Sequence, residues 1–237
     1  MSLLQVENVS KRFGGLTANE DVSFAVEAGQ IVGLIGPNGA GKTTLFNCIA
    51  GFFAPSAGRI TLAGQQISGL PPERCALAGV GRTFQIARTF GSMTALENVM
   101  VGAFLLDRRV TGVRRGAQHF LDFVGLGRFA DKPASSMTIS EQRRLAVARA
   151  LAVEPKLLLM DEVMAGLNPS EVRETVDVVQ KIRAEGIACL IVEHVLEGIM
   201  PIADRIVVLD YGKKIADGPP AEVSRDPKVI AAYLGDE

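Results

Sequence analysis

The 237-residue chain carries 25 basic and 26 acidic residues, a net charge of −1, and 48% of it is apolar. That balance excludes the broad basic footprint of a nucleic-acid-binding protein, and it supplies a sizeable core without disulfides. No N-terminal signal peptide is visible, and polar residues break every apolar stretch before membrane-spanning length, so the chain is not expected to cross a bilayer by itself.

The length permits one large α/β domain, or a core with a smaller inserted subdomain. Leu3 to Val9 alternates apolar and polar residues as an edge strand does. Lys11-Arg12-Phe13-Gly14-Gly15 is then a turn, and Val22 to Val26 a second alternating strand. Ile31-Val32-Gly33-Leu34-Ile35 is a short apolar run, a buried strand, and Thr44 to Ala50 has helical spacing with Gly51 as its cap. Between them stands Gly36-Pro37-Asn38-Gly39-Ala40-Gly41-Lys42-Thr43-Thr44, which fits G-x-x-x-x-G-K-[ST]. Glycines let backbone N–H groups turn inward around phosphates, and the helix that follows adds its positive end. Asn38, Gly39, Ala40, Gly41, Lys42, Thr43 and Thr44 are therefore candidate nucleotide-binding residues. In this pattern Lys42 reaches the β- and γ-phosphates and the Thr43 hydroxyl binds Mg²⁺. A glycine-rich turn with a solvated lysine is the plainer alternative, and the strand-then-helix context argues against it.

Gly58 to Leu62 is a further strand, so the N-terminal third is expected to be largely antiparallel; Ala78 to Phe84 is a core strand. From Gln85 to about Thr138 the texture turns helical, with one helix opening at Thr94 and another over Gly116 to Val124. Leu157–Met160, Ile187–Val192 and Ile206–Leu209 are apolar strands separated by helices near Ser170–Ala184 and Val195–Ile199, the alternation of a parallel sheet. A short helix, Val229 to Leu234, follows Pro219-Pro220. Cys48, Cys75 and Cys189 are far apart with no C-x-x-C spacing, and are expected to be buried reduced thiols in a cytoplasmic protein. Lys213-Lys214 and Arg114-Arg115 are expected to be solvated charges.

Leu157-Leu158-Leu159-Met160-Asp161-Glu162 is an apolar strand ending in two acids. Beside a P-loop, Asp161 would hold Mg²⁺ directly or through water, and Glu162 would polarise the attacking water as general base. Alone, such an Asp-Glu pair caps a turn.

These residues together resemble the ATP-binding-cassette (ABC) ATPases from end to end, and within them the ATP-binding subunits of high-affinity branched-chain amino acid importers. The closer resemblance rests on Phe13-Gly14-Gly15-Leu16, Gly33 through Asn47, Arg82-Thr83-Phe84-Gln85, Leu96-Glu97-Asn98-Val99, Ala165-Gly166-Leu167-Asn168-Pro169 and Val192-Glu193-His194. It implies an α/β P-loop NTPase fold with a mostly parallel core sheet, an N-terminal antiparallel β subdomain and an inserted helical subdomain. Residues 1–85 and 152–237 would form the core, and 86–151 the insert. Phe13 matches the aromatic that stacks on adenine, and Gln85 the glutamine that touches Mg²⁺ or water and relays nucleotide state. His194 matches the histidine that contacts the γ-phosphate and orients Glu162. Ala165–Pro169 matches the loop crossing between nucleotide domains. His119 has no such match and is expected to be exposed. The implied ligands are ATP and Mg²⁺. The implied partners are a second cassette (another copy or a paralogue), permease subunits whose cytoplasmic helices the helical subdomains grip, and indirectly a solute-binding protein. Such a subunit sits on the cytoplasmic face of the inner membrane.

The sequence departs from the family in its Leu-Ser-Gly-Gly-Gln-like pentapeptide, here Met137-Thr138-Ile139-Ser140-Glu141. Thr138 and Glu141 form a capping-box pattern, so the helix start persists. Ser140 replaces the fourth-position glycine and adds a Cβ where backbone meets a γ-phosphate in trans; whether it obstructs depends on its φ. The resulting expectation is an intact cis site and an impaired opposite site. Val163 replaces a proline common after the catalytic glutamate. A soluble cassette ATPase in assembly or repair, and a nucleotide-binding subunit with weak hydrolysis, remain the alternatives.

Overall fold

The computed structural model describes residues 2–83, 89–106 and 109–234. Three five-residue strands form the centre of the larger sheet, β3 (Ile31–Ile35), β7 (Leu157–Asp161) and β8 (Ala188–Val192), buried at every position and apolar throughout but for Gly33 and the terminal Asp161. A strand covered on both faces needs apolar residues at consecutive positions, which is why these runs do not alternate. β6 (Val80–Arg82) and β9 (Arg205–Asp210) extend the parallel set, and β10 (Lys213–Gly218) closes it antiparallel, in the order β10-β9-β3-β8-β7-β6. The smaller sheet is wholly antiparallel, ordered β2-β1-β4-β5, from β1 (Leu4–Phe13), β2 (Leu16–Val26), β4 (Ala57–Leu62) and β5 (Gln65–Gln66).

The pleat divides the large sheet between two cores. Val32, Leu34, Leu190 and Val192 face α1 (Lys42–Ile49) and the small sheet, packing with Phe46, Ile49, Leu4 and Ile60. Ile31, Ile35, Cys189 and Ile191 face the opposite layer. That layer contains α3 (Ala95–Ala103), α4 (Val110–Phe123), α5 (Ile139–Leu151) and α6 (Pro169–Ala184), and the first three pack on one another. Short helices α2 (Pro72–Ala78), α7 (Leu196–Ile199) and α8 (Pro220–Val223) fill connections, and α9 (Pro227–Leu234) lies on β10. Among the described residues no helix is long and apolar enough to cross a membrane. The three cysteines are free and buried, and burial pushes Cys48 up to about 11 and Cys189 to about 12.

The structure corrects several expected boundaries. The first hairpin runs on through Lys11–Phe13 and turns at Gly14-Gly15, instead of turning from Lys11. The ladder there slips register three times and leaves the core, so the apolar alternation that marks a strand fades before the strand ends. The expected strand from Ala78 is α2's last residue followed by the shorter β6. β10 has no apolar run because it is an exposed edge, and α4 begins at Val110 rather than Gly116. Within β10, Lys213 pairs with Glu20 at 3.2 Å and Lys214 with Asp217 at 2.8 Å. Arg114, Arg115 and His119 are exposed.

Candidate functional site

Parallel pairing brings the carboxyl ends of adjacent strands to one edge. Leu34 of β3 and Asp161 of β7 both register with Val192 of β8, so the segments leaving these strands emerge side by side. Such an edge is where open α/β sheets place their sites. The P-loop leaves β3, Glu162 follows β7, and His194 follows β8.

The P-loop ends in a helix start stripped of its own caps. Gly41 is the N-cap of α1 in the left-handed region (φ 94°), with no side-chain cap and no acid in the first turn. A Cβ on Gly41 would run into the Ala18 carbonyl and the Asn19 amide, so only glycine closes the loop at this spacing. Asn19 is fully buried and donates to the Gly41 carbonyl at 3.2 Å, tying β2 to the loop. The N–H groups at α1's start are left for an anion. Lys42 is 95% removed from solvent and donates to the carbonyls of Gly36 (2.6 Å) and Pro37 (2.8 Å). Burial lowers its pKa, while Glu162 and Asp161 pull it back up.

On the opposite wall, Glu162 has φ +51°. The left-handed conformation costs a non-glycine residue about 1–2 kcal/mol, and such outliers cluster where geometry serves chemistry. Its N–H donates to the Val192 carbonyl (2.9 Å), which fixes the turn out of β7. Its carboxylate lies 2.8 Å from His194 Nε2. Glu162, His194, Asn38 to Thr44, Leu16 to Ala18, Tyr211 and Gly212 line one cavity of about 490 Å³. A carboxylate held by an imidazole across from a row of amides and a lysine can polarise a water against a bound terminal phosphate.

Asp161 sits behind this wall. Burial raises its pKa, and the Arg82 guanidinium, 3.6 Å away, opposes that shift. Arg82 also donates to Asn47 of α1 at 2.7 Å, and Asp161 N–H donates to the Thr83 hydroxyl at 3.3 Å. The Asp161 carboxylate and Thr43 hydroxyl are hard oxygen donors of the kind Mg²⁺ takes. The uncapped helix start, with Lys42 beside it, suits a triphosphate.

Other expected residues fall elsewhere. Phe13 is 41% exposed at the hairpin end, edge-on to Phe53 at 5.2 Å with Lys11 Nζ 4.9 Å above it. It does not line the cavity, whose rim on that side is Leu16. Gln85 and Phe84 lie outside the described residues. Thr138 and Ser140 open α5, away from the cavity wall. Thr138 caps Glu141 N–H at 3.2 Å, Glu141 returns to Thr138 N–H at 2.8 Å, and Lys132 neutralises Glu141 at 2.9 Å. Ser140 has helical backbone and is buried, whereas Ile139 is 70% exposed. The added Cβ therefore meets no backbone strain and turns inward. Asn168 caps α6, accepting from Ser170 and Glu171. Val163 is buried in the core.

Sequence reasoning gave no role to Arg82, Asn19 or Glu193. Glu193 is fully buried, accepts from Met164 N–H at 2.7 Å, and is pushed up to about 7 by burial. It joins the segment leading into Ala165–Pro169 to the residue beside His194. A charged residue directly after the apolar strand Ala188–Val192, and fully buried, is the signal that could have found it.

Residues 19–165 match the ABC transporter family, and residues 213–237 a family described as branched-chain amino acid ATP-binding cassette transporter. BraF of Pseudomonas aeruginosa, a high-affinity branched-chain amino acid transport ATP-binding protein, is 42% identical over 250 residues, spanning 99% of this chain and 98% of that protein. LivG of Escherichia coli K12, described in the same words, is 40% identical over 250 residues with the same coverage. The ADP conformation of MJ1267, an ATP-binding cassette of an ABC transporter, covers all of both chains with a TM-score of 0.91 at 31% identity. The chain belongs to the ABC transporter family and is one of its ATP-hydrolysing cassettes.

Proposed function

We propose that this cassette powers uptake of branched-chain amino acids, or a related small polar solute, through a separate permease at the cytoplasmic face of the inner membrane. The observation that carries the catalytic half is the Glu162–His194 pair at 2.8 Å facing the P-loop. ATP would lie with its phosphates on the N–H groups from Asn38 to Thr44, and with its base toward the hairpin end at Phe13 and Leu16. Lys42 would exchange the Gly36 and Pro37 carbonyls for phosphate oxygens. Thr43, Asp161 and Gln85 would hold Mg²⁺, which when bound neutralises charge on the phosphates. Glu162 takes the proton of the attacking water, and His194 fixes the carboxylate and faces the terminal phosphate. Thr138 and Ser140 would meet the nucleotide of a second cassette, whether another copy or a paralogue.

The transport half rests on the relatives' names and on a second cavity of about 460 Å³, walled by Phe52, Cys75, Phe90, Val101 and Arg149. We assign it to a cytoplasmic helix of the permease, gripped between the core (residues 1–85 and 152–237) and the helical subdomain (residues 86–151). Arg82 lines this cavity and faces Asp161, which gives groove and nucleotide site a shared residue. A solute-binding protein would enter only through the permease.

The test is steady-state ATPase of the purified chain beside Glu162→Gln, followed by capture of the tagged chain from membranes. Hydrolysis lost in the variant and copurification of permease subunits support the reading. Equal hydrolysis in the two proteins sinks the catalytic half, and capture without any membrane subunit sinks the transport half in favour of a soluble assembly or repair ATPase.

A further inference from the structure

The back of the P-loop is held by the last helix. α9 is anchored by Val229, 6% exposed and packed in the core layer that holds α3 to α6. One turn on, at the i+4 position of the same helix face, Tyr233 reaches across to the strand end that begins the P-loop. Its hydroxyl oxygen accepts the Gly36 N–H at 2.8 Å. The residues next to both partners line a cleft of about 460 Å³, with Pro37 and Asn38 on the loop side and Lys228, Ala231 and Ala232 on α9. Tyr233 therefore stands as a strut beside an otherwise open space.

Gly36 is the residue on which such a strut has most leverage. Its φ is +144°, and a Cβ there would collide with the Leu209 carbonyl, so the backbone is pressed onto β9 with glycine obligatory. On its C-terminal side, the Gly36 carbonyl accepts from Lys42 Nζ at 2.6 Å. On its N-terminal side, the N–H is held by Tyr233. When Lys42 turns to a phosphate, the first bond is released and the second remains.

We propose that Tyr233 is a positioning residue for nucleotide binding: its hydroxyl keeps the first turn of the P-loop in phosphate-competent shape while Lys42 moves. This rests on the nucleotide-site reading above and extends it to a helix within the separate C-terminal match at residues 213–237. The loss of one hydrogen bond to a part-buried amide corresponds to about a fivefold change in an equilibrium constant.

The test compares Tyr233→Phe, which keeps the ring and removes only the hydroxyl, with Lys228→Ala on the same helix and cleft. Tyr233→Phe is expected to weaken Mg-ATP binding, read as Kd and as KM, by about fivefold, with kcat within about twofold of wild type and a melting temperature lowered by no more than about 4 °C. Lys228→Ala is expected to match wild type. Hydrogen exchange of the Gly36 amide without nucleotide, expected to quicken in Tyr233→Phe alone, tests the strut separately. Wild-type Kd and wild-type Gly36 exchange in Tyr233→Phe would each overturn the proposal. A wild-type chain that binds no Mg-ATP would instead overturn the nucleotide-site reading.

Discussion

Two helices of this chain begin where a phosphate is expected, and they begin in opposite ways. α1 starts from left-handed Gly41 with no side-chain cap and no acid in its first turn. α5 starts from Thr138 with a complete capping box and Glu141 in its first turn. A missing cap costs a helix about 0.5–2 kcal/mol, so α1 leaves unsatisfied donors that a phosphate would satisfy. α5 has already satisfied two of its four and offers the N–H groups of Ile139 and Ser140. One end is unfinished until a ligand arrives; the other is folded without one and offers Ile139 to whatever docks. This asymmetry suits a chain that grips its own nucleotide with one helix and presents the other to a partner's.

The contrast breaks most severely on the α1 side. Glu162→Gln removes the base while leaving the phosphate cradle, so kcat should fall by about 10²–10⁴ with Mg-ATP still bound. Single-turnover kinetics with calorimetric binding checks this; loss of binding in step with kcat would move Glu162 from chemistry to the cradle. Lys42→Met removes a charge-assisted contact to phosphate and should weaken ATP binding by roughly 10- to 100-fold, with a well-folded chain by circular dichroism.

A second tie joins the segments after β7 and β8, where Glu193 accepts from Met164 N–H. Its folded-state pKa is raised from the ordinary 4.5 to about 7. The folded chain thus keeps a proton that the unfolded chain releases, and the associated stability is full below about pH 4.5 and lost as pH rises through 7. Over that window urea-melt stability should decline by about 3 kcal/mol. Glu193→Gln, permanently neutral, should flatten the profile; an equally steep variant would assign the slope to other groups.

How much of this was legible follows from how each feature is built. The P-loop, the strand ending in Asp161-Glu162, and the buried strands were readable because a strand covered on both faces must be apolar at consecutive positions. The parallel-sheet P-loop fold followed from them. β10 and the far end of the first hairpin were not, because exposed edges impose no apolar pattern. Arg82, Asn19 and Tyr233 were invisible for another reason. Each acts through a contact across 22 to 197 residues of chain, and no local spacing records a partner that distant. Phe13 shows what a resemblance adds: it points to adenine at the hairpin end, where the geometry puts the nearby Leu16 on the cavity rim.

On the α5 side the effects are smaller and separate two neighbouring residues. Ile139 points outward, and Ile139→Lys should weaken ATP-dependent association with a second cassette by roughly 10-fold, the scale of one large apolar side chain losing its burial. Sedimentation with Mg-ATP in the Glu162→Gln background, where loss of the base should leave the nucleotide unhydrolysed, measures it. Ser140 is the quieter neighbour. The sequence alone made obstruction of a phosphate by its Cβ depend on its φ; its backbone is helical and its side chain is buried. Glycine gains nothing from a φ that any residue adopts, and it weakens a helix by about 0.5 kcal/mol relative to serine. Ser140→Gly should therefore leave ATPase within about twofold of wild type, since no φ strain is relieved. A severalfold rise would mean that the Ser140 side chain turns outward when the pair closes, and that α5 is the less finished of the two helix starts.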